Sequence, residues 1–348
     1  MLRKIDWESR IGRRLRLRDL HVFSTVVQRG SMAKAAQHLG VSQPAVSEVI
    51  ADLEHALGVR LLDRSAQGIE PTVYGGALLK RSVAVFDELK QSIRDIEFLS
   101  DATTGEVRVG CMEGPWFALL PDVILQFSKQ YSRIKVHANL IDHSEAFLAL
   151  RERRYDCALI PTQKGLQAPD DLTVEALFDD ATIVVAGARS KWASRRKIDL
   201  AELIDEPWAL AARASWNRTI SEEMFQAAGI SRPEPMVTTD SVVLRARLIA
   251  TGPYLGMFMS SVLRRLIADG YALTALPVDL HANASCMSIA TLKNRTLSPI
   301  VERFLVCVRG VATSLAAKHA QPLVEVQGRS ANSRGRSSSR RQRWQATD

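Results

Sequence analysis

No run of eighteen or more uncharged apolar residues occurs in the 348-residue chain, which argues against a membrane-spanning helix. The opening stretch, MLRKIDWESRIGRRLRLRDL, is basic and lacks the uninterrupted apolar segment of a secretory signal. Cysteine is scarce. Cys111, Cys157, Cys286 and Cys307 stand far apart with no CxxC pair, so each is expected to be a buried small hydrophobe rather than a zinc ligand or half of a disulfide. That usage suits a reducing cytoplasm. The seven histidines are scattered, and His137 and His143 lie near Glu145 without HExxH spacing. No strand-like segment leads into a GxSxG elbow, a P-loop or a GxGxxG turn. These absences argue against an enzyme, and no catalytic residue, metal or cofactor is expected.

What is present is a chain long enough for two or three domains, 46% hydrophobic and able to bury a sizeable core. Its net charge of +8 is unevenly placed. Residues 1–70 hold eleven Lys and Arg against eight Asp and Glu, and residues 318–348 hold seven against two, which leaves the middle about neutral. Positive charge gathered at both ends points to a polyanionic partner met by the ends, while the centre does something else.

From about Leu17 to Pro71 the pattern is helical. RDLHVFSTVVQRG is an amphipathic helix closed by Gly30; Ser31 then caps SMAKAAQHLG, a short Ala-rich helix closed by Gly40. Ser42 caps a third helix, with Pro44 in its first turn, where a missing N–H is harmless. Along that helix Val46, Val49, Ile50, Leu53 and Leu57 form an aliphatic stripe. The opposite face carries Gln43, Pro44, Ser47, Glu48 and Ala51, which are short and able to hydrogen bond, as expected of a surface that something lies against. Two short helices about a Gly-containing turn make a helix-turn-helix, whose second helix can enter a major groove.

VRLLDRSAQGIEPT then reads as two short strands joined by a turn at Ser65–Gly68, a wing. One long helix is expected from Thr72 to about Asp101. Its Leu79, Phe86 and Ile93 fall seven apart, with Leu89 and Ile96 in complementary positions and Ser82 interrupting. Such a seam suits a partner helix; packing on its own domain is the other reading. From Gly105 to about Ala316, strands alternate with helices: EVRVGCM, a helix WFALLPDVILQFSKQY, IKVHANLI, a helix SEAFLALRERR, DCALIP, ATIVVAG, PWALAA, a helix NRTISEEMFQAAG, and a last helix LSPIVERFLVCVRG. This is the alternation of an open α/β sheet. The Arg/Ser-rich segment GRSANSRGRSSSRRQRWQATD is nearly free of aliphatics and is expected to be disordered.

The run SMAKAAQHLGVSQPAVSEVIADLEHALGVRLLDR, followed by PTVYGGALL, resembles the N-terminal domain of LysR-type transcriptional regulators. Its marks are Ala35-Ala36, Ser42 to Ala45, Ser47, Leu53-Glu54, Leu57-Gly58, Leu61 to Arg64 and a Thr-x-x-Gly helix start. GEVRVG, RRYDCALI and LIATGPYLG match the family's effector-binding part in layout, and the likeness covers roughly residues 17–312. The resemblance implies a multidomain chain: an all-α winged helix-turn-helix with a long linker helix, followed by an α/β two-subdomain domain like that of periplasmic binding proteins. Residues 1–16 would be a basic extension, 17–71 the DNA-binding domain and 72–104 the linker and dimerisation helix. Residues 105–316 would be the effector-binding domain and 317–348 the tail. Subdomain I would span about 105–180 and 281–316, and subdomain II about 181–280, with hinge crossings near Thr182 and Met287. It further implies promoter DNA, a small-molecule effector and a homo-oligomer, commonly a dimer of dimers, with RNA polymerase as a further partner and no membrane.

On that footing Gln43 suits an adenine edge, Ser47 either kind of base and Pro44 a thymine methyl. Ser31 and Ser42 suit phosphate oxygens or helix capping alone, Lys34 suits a phosphate, and Arg60 and Arg64 on the wing suit the backbone or minor groove. Glu48 departs from the family pattern: it either accepts from a cytosine amine or turns toward a neighbouring cation. The ligand is expected outside the carboxyl ends of the strands. Met112, Glu113, Gly114 and Trp116 stand at one helix start, Arg213, Ser215, Trp216 and Asn217 at another, Thr162 after a strand, and Asp240-Ser241 before a further helix. Paired helix starts with Arg213 favour a carboxylate or phosphate, whereas two tryptophans with Glu113 and Asn217 suit a sugar. Equally, Trp116 fits a core position, and Glu113 with Arg213 an interdomain salt bridge. A transport receptor shares the central layout, but the DNA-reading segment argues against it.

Overall fold

The computed structural model describes residues 15–65, 68–165, 167–211, 216–280 and 285–319. Two compact units follow one another along the chain, dividing after Ile96.

In the first unit, α1 (Leu17–Arg29), α2 (Met32–Leu39) and α3 (Gln43–Leu57) each end on a glycine in the left-handed region, Gly30, Gly40 and Gly58. Val46, Ile50 and Leu53 of the α3 stripe are buried with Val22, Phe23, Val26, Met32, Ala35 and Ala36, and Val49 and Leu57 pack at the margin. Fully burying such a side chain contributes about 1.5–3 kcal/mol. The wing strands β1 (Leu62–Ser65) and β2 (Gly68–Pro71) pair antiparallel, with Ser65 opposite Gly68.

Several of the family marks are explained by this geometry. The Glu54 carboxylate accepts from the amides of Leu61 and Leu62, at 2.7 and 3.2 Å, and so ties α3 to the entry of the wing. Thr72 donates its hydroxyl to the Arg60 carbonyl at 2.8 Å and accepts from the Gly75 amide at 3.1 Å. A Cβ on Gly75 would stand 2.0 Å from the Leu61 carbonyl oxygen, so only glycine lets α4 (Val73–Ser100) pass this close to the wing.

The expected seam along α4 divides. Leu79 packs against the helix-turn-helix core and the Phe86 ring meets His21 edge-on at 5.8 Å, so these two serve their own domain. Leu89, Ile93 and Ile96 are 41%, 57% and 64% exposed.

The second unit holds two lobes. In the first, a five-stranded sheet runs in the order β4 (Ile134–Leu140), β3 (Gly105–Cys111), β5 (Cys157–Gln163), β12 (Ser285–Leu292), β6 (Leu172–Asp179). β3 is parallel to β4 and β5, whereas β12 is antiparallel to β5 and β6, so the sheet is mixed. Alternation sorts its faces: Cys157 and Leu159 join Val107, Val109, Phe127 and Phe304 on one side, while Ala158 and Ile160 join Ile141, Leu150 and Tyr155 on the other. The second lobe centres on β7 (Thr182–Gly187), antiparallel to both β10 (Gly256–Met259) and β11 (Leu273–Ala275). A short parallel pair, β8 (Ala209–Leu210) and β9 (Val237–Thr238), and the helices α8 (Trp216–Ala227), α9 (Val242–Thr251) and α10 (Ser260–Ala268) complete it.

Some expected boundaries move. The single helix expected over residues 116–131 is two, α5 (Glu113–Ala118) and α6 (Leu120–Gln130), because Pro121 cannot donate to a preceding turn and can stand only in a helix's first turn. The helix expected over 144–154 is α7 (His143–Arg151), started one residue early by the Asp142 carboxylate on the Glu145 amide. Among the described residues of PWALAA, Ala209 and Leu210 form a strand, and Ala212 lies outside them. The last helix, α11 (Pro299–His319), runs past residue 316, so residues 317–319 are helix rather than tail. Residues 320–348 and 1–14 lie outside the described set.

The outward crossing between lobes is Asp180–Ala181; Thr182 already belongs to β7, and Met287 lies inside β12. The Asp180 amide donates to the Ser285 carbonyl at 2.8 Å, and its carboxylate accepts from the Ser260 hydroxyl and the Ser261 amide, each at 2.9 Å. The crossing is thereby pinned to the start of α10.

Candidate nucleic-acid interface and ligand cleft

On α3, burial of the aliphatic face turns Gln43, Pro44, Glu48 and Ala51 outward, all exposed. Ser47 is half-buried, and its hydroxyl points toward the Met32 sulfur at 3.7 Å. Ser42 caps α3 weakly, accepting from the Ala45 amide at 3.4 Å. Ser31 occupies the N-cap position of α2 without a side-chain cap bond, so the expected cap is not made there. Lys34, Arg60 and Arg64 are exposed. Glu48 opens on a groove shared with Arg16, Arg18, Asp19, Asp52 and His55, and among the described residues no cation stands within ion-pair distance of it. Asp52 and His55, which the opposite-face reading of α3 left out, extend its exposed polar side.

In the second unit a cleft enclosing about 470 Å³, open mouth included, is lined by Gly114 from the first lobe and by Thr182, Leu210, Ser221, Arg245, Phe258 and other second-lobe residues. Glu113 opens α5 and crosses to the second lobe, its carboxylate accepting from the Val242 amide at the start of α9. Burial pushes the Glu113 carboxyl up from its ordinary value, opposed by the Val242 amide and the Arg245 charge. Burial likewise lowers the Arg245 guanidinium, with Glu113 and Asp240 acting the other way. Among the described residues the cation beside Glu113 is Arg245, 3.9 Å away, where Arg213 was expected.

The other candidates scatter. Met112 is buried at the N-cap of α5, and Trp116, half-buried, packs against the first-lobe core. The Thr162 hydroxyl is buried and bonded to Ser288 across the sheet at 2.7 Å. Ser241 caps α9 by accepting from the Leu244 amide at 3.3 Å. Trp216 and Asn217 open α8, while Arg213 and Ser215 lie outside the described residues. Arg245 escapes sequence reading because VLRARLIA presents two arginines, Arg245 and Arg247, and only packing decides that the first is buried. Its spacing of four from the capping Ser241 puts both on one side of the helix and was the available signal.

Burial pushes the Cys111 and Cys157 thiols well up, so they pack as neutral small groups. No described helix is long and apolar enough to cross a membrane, and no described cluster of His, Cys, Asp and Glu is placed to hold a metal.

The family model for the LysR substrate binding domain matches residues 100–313, and that for the bacterial regulatory helix-turn-helix protein, lysR family, matches residues 17–76. The chain is 31% identical over 236 residues to the HTH-type transcriptional regulator TdcA of Escherichia coli K12, covering 68% of this chain and 74% of TdcA. It is 26% identical over 309 residues to the HTH-type transcriptional regulator GbpR of Azospirillum brasilense, covering 88% and 86% of the two. Among solved structures, CbnR, a LysR family transcriptional regulator, superposes with a TM-score of 0.56 at 20% identity over 86% of this chain and 99% of its own. Full-length OxyR C199D of Pseudomonas aeruginosa gives 0.59 at 19% identity over 86% and 94%. Both share the fold. An N-terminal helix-turn-helix joined to an α/β effector-binding domain defines a transcriptional regulator, not an enzyme. The chain belongs to the LysR family.

Proposed function

We propose that this regulator reads duplex DNA sequence-specifically in the major groove as a dimer or dimer of dimers in the cytoplasm, modulated by a small-molecule effector held between its two lobes. The effector class is an organic acid, a sugar or an aromatic compound. The observation that carries the DNA half is the first turn of α3: Gln43 and Pro44 stand exposed while Val46 and Ile50, one and two turns on, are sunk in the core. A helix held rigidly from behind can present a glutamine amide to a base edge at low entropic cost. Around it, Ser31 keeps a hydroxyl that no cap engages; on this reading Ser42 and Lys34 serve phosphates, Arg60 and Arg64 the backbone or minor groove, and Ser47 turns from Met32 when DNA is bound. Glu48 faces the α1 groove with Arg16 and Arg18, which keeps its charge from the phosphates.

On this reading residues 17–71 bind DNA, 72–104 join protomers, and 105–316 answer the effector. Leu89, Ile93 and Ile96 form the seam, shorter than the full set and shifted along α4. The basic segments 1–16 and 320–348 add salt-sensitive affinity, so deleting residues 328–348 reduces the salt slope of binding. The effector biases lobe closure, hence protomer arrangement and the approach of RNA polymerase, only through its differential affinity for the two states.

The test is a footprint on the promoter region beside the protein's own gene, with and without a compound selected by thermal shift from sugars, organic acids and aromatics. The reading expects dyad-related protected tracts whose length and DNA bend change with the compound. Identical patterns reject the effector switch, and protection of any duplex alike rejects sequence reading.

A further inference from the structure

Arg245 is 2% exposed, yet its donors are poorly matched. Nη1 lies 3.4 Å from the Met257 carbonyl, Nη2 lies 3.9 Å from the Glu113 carboxylate, beyond hydrogen bonding, and Nε has no acceptor. Its flat face rests 4.9 Å from the centre of the Phe258 ring. A guanidinium carries five donors in a planar fork that fits a carboxylate edge to edge, and burying it so incompletely paired is costly.

Glu113 meets this site from the other lobe. One carboxylate oxygen accepts the Val242 amide, the first of the ten-residue α9, while the other is buried without a hydrogen bond beside Arg245. A carboxylate from the first lobe thus sits where a helix start and a buried cation of the second lobe converge, and Gly114 beside it lines the cleft.

We propose that Glu113 is the built-in occupant of a carboxylate seat, and that the effector is a small apolar monocarboxylate that displaces it from Val242 and Arg245 and so undoes a tie between the lobes. This rests on the reading of the cleft as the effector site. Exchange of one carboxylate for another keeps Arg245 neutralised, whereas a neutral ligand in the same place strands a buried positive charge. A second negative charge on the ligand is opposed by Asp240, whose charge acts on both Glu113 and Arg245. Leu210, Ile220 and Phe258 offer apolar walls for the rest of the molecule.

The experiment uses the full-length protein and its Glu113→Ala, Glu113→Gln and Glu113→Ala/Arg245→Met variants. Each is unfolded thermally in formate, acetate, chloride or acetamide, the salts at equal ionic strength. The seat expects Glu113→Ala to unfold earlier than wild type and to recover in formate and acetate but not in chloride or acetamide, with no recovery in the double variant. Equal recovery in chloride, or recovery in the double variant, overturns it. Should Glu113→Ala fail to fold, calorimetric titration of the near-isosteric Glu113→Gln with benzoate serves instead. Benzoate is expected to bind it at least about tenfold more tightly than wild type, because the internal competitor has lost its negative charge, while benzamide shows no such gain. Equal benzoate affinity overturns the proposal. Footprints of the same variants separate the two readings. Carboxylate rescue with an unchanged footprint retains the seat and rejects the effector switch, whereas absent rescue with sequence-selective protection rejects the seat alone.

Discussion

Arg295 and Arg245 are both buried arginines of the second unit, and they are served in opposite ways. Arg295 donates to the Tyr155 carbonyl and the Asp156 carboxylate at 2.8 and 2.9 Å, and Asp156, itself 0% exposed, also accepts the Arg108 amide and side chain. That network joins β3, the residues leading into β5 and the segment that follows β12, and is closed by the chain's own groups. Arg245 has a carboxylate nearby but out of hydrogen-bond reach, and that carboxylate belongs to the other lobe. Buried charge closed on itself holds a fold; buried charge left open is retained for something that arrives. The first unit repeats the contrast. Glu54 binds two backbone amides of its own wing, while Gln43 extends from the same helix with no partner of its own among the described residues.

The contrast is sharpest at Asp156. Asp156→Ala leaves the buried Arg295 without the Asp156 carboxylate, and is expected to cost about 3–5 kcal/mol in urea unfolding. An unchanged midpoint would place the closed network in the same class as the open one. Next, Gln43→Ala is expected to lose about 1–3 kcal/mol of preference at a single base position and nothing in stability, read by competition binding on point-substituted duplexes. Uniform weakening on all sequences would mean that Gln43 serves only phosphates. Arg245→Met, a swap of similar bulk, is expected to change stability by less than about 1.5 kcal/mol in either direction while abolishing the response to carboxylates. A loss as large as that at Asp156 would show Arg245 to be closed as well.

The smallest effect is expected at the surface. Arg309 holds Glu175 with two 2.8 Å hydrogen bonds, which keep that carboxyl below its ordinary value. The pair is nearly half exposed, so Glu175→Gln is expected to cost less than about 1 kcal/mol. Because the folded-state carboxyl is the stronger acid, the contribution is complete above the unfolded carboxyl's range near 4.3 and fades as pH falls through the folded value. Wild-type and variant stabilities should therefore converge in acid; a gap that widened there would reverse the assignment.

The first unit was legible because its determinants are local. Glycines at three helix ends, Pro44 in a first turn and a stripe of period 3.6 fall within some forty residues, and the core follows from them. The seam on α4 was half legible, since a seven-residue repeat cannot say whether Leu79 and Phe86 meet a partner or their own helix-turn-helix. In the second unit β3, β4 and β5 of the first sheet stood out, but β6 alternates weakly and was not singled out, β12 entered only as a crossing near Met287, and Pro121 divided a helix whose apolar pattern runs on. The cleft was the least legible. Glu113 and Gly114 stand in one helix start that the sequence displays, but Arg245, Ser221 and Phe258 come from three further elements, and only tertiary packing brings them together.

The account stands or falls on whether the exposed edge of α3 reads bases. Random duplexes bound by the full-length protein near 0.15 M salt, recovered and sequenced, with Gln43→Ala in parallel, measure this directly. The account expects wild type to enrich an interrupted dyad and the variant to lose preference at one symmetric pair of positions while keeping the rest. Recovery of unselected sequence by wild type, or the same motif undiminished in the variant, would contradict it.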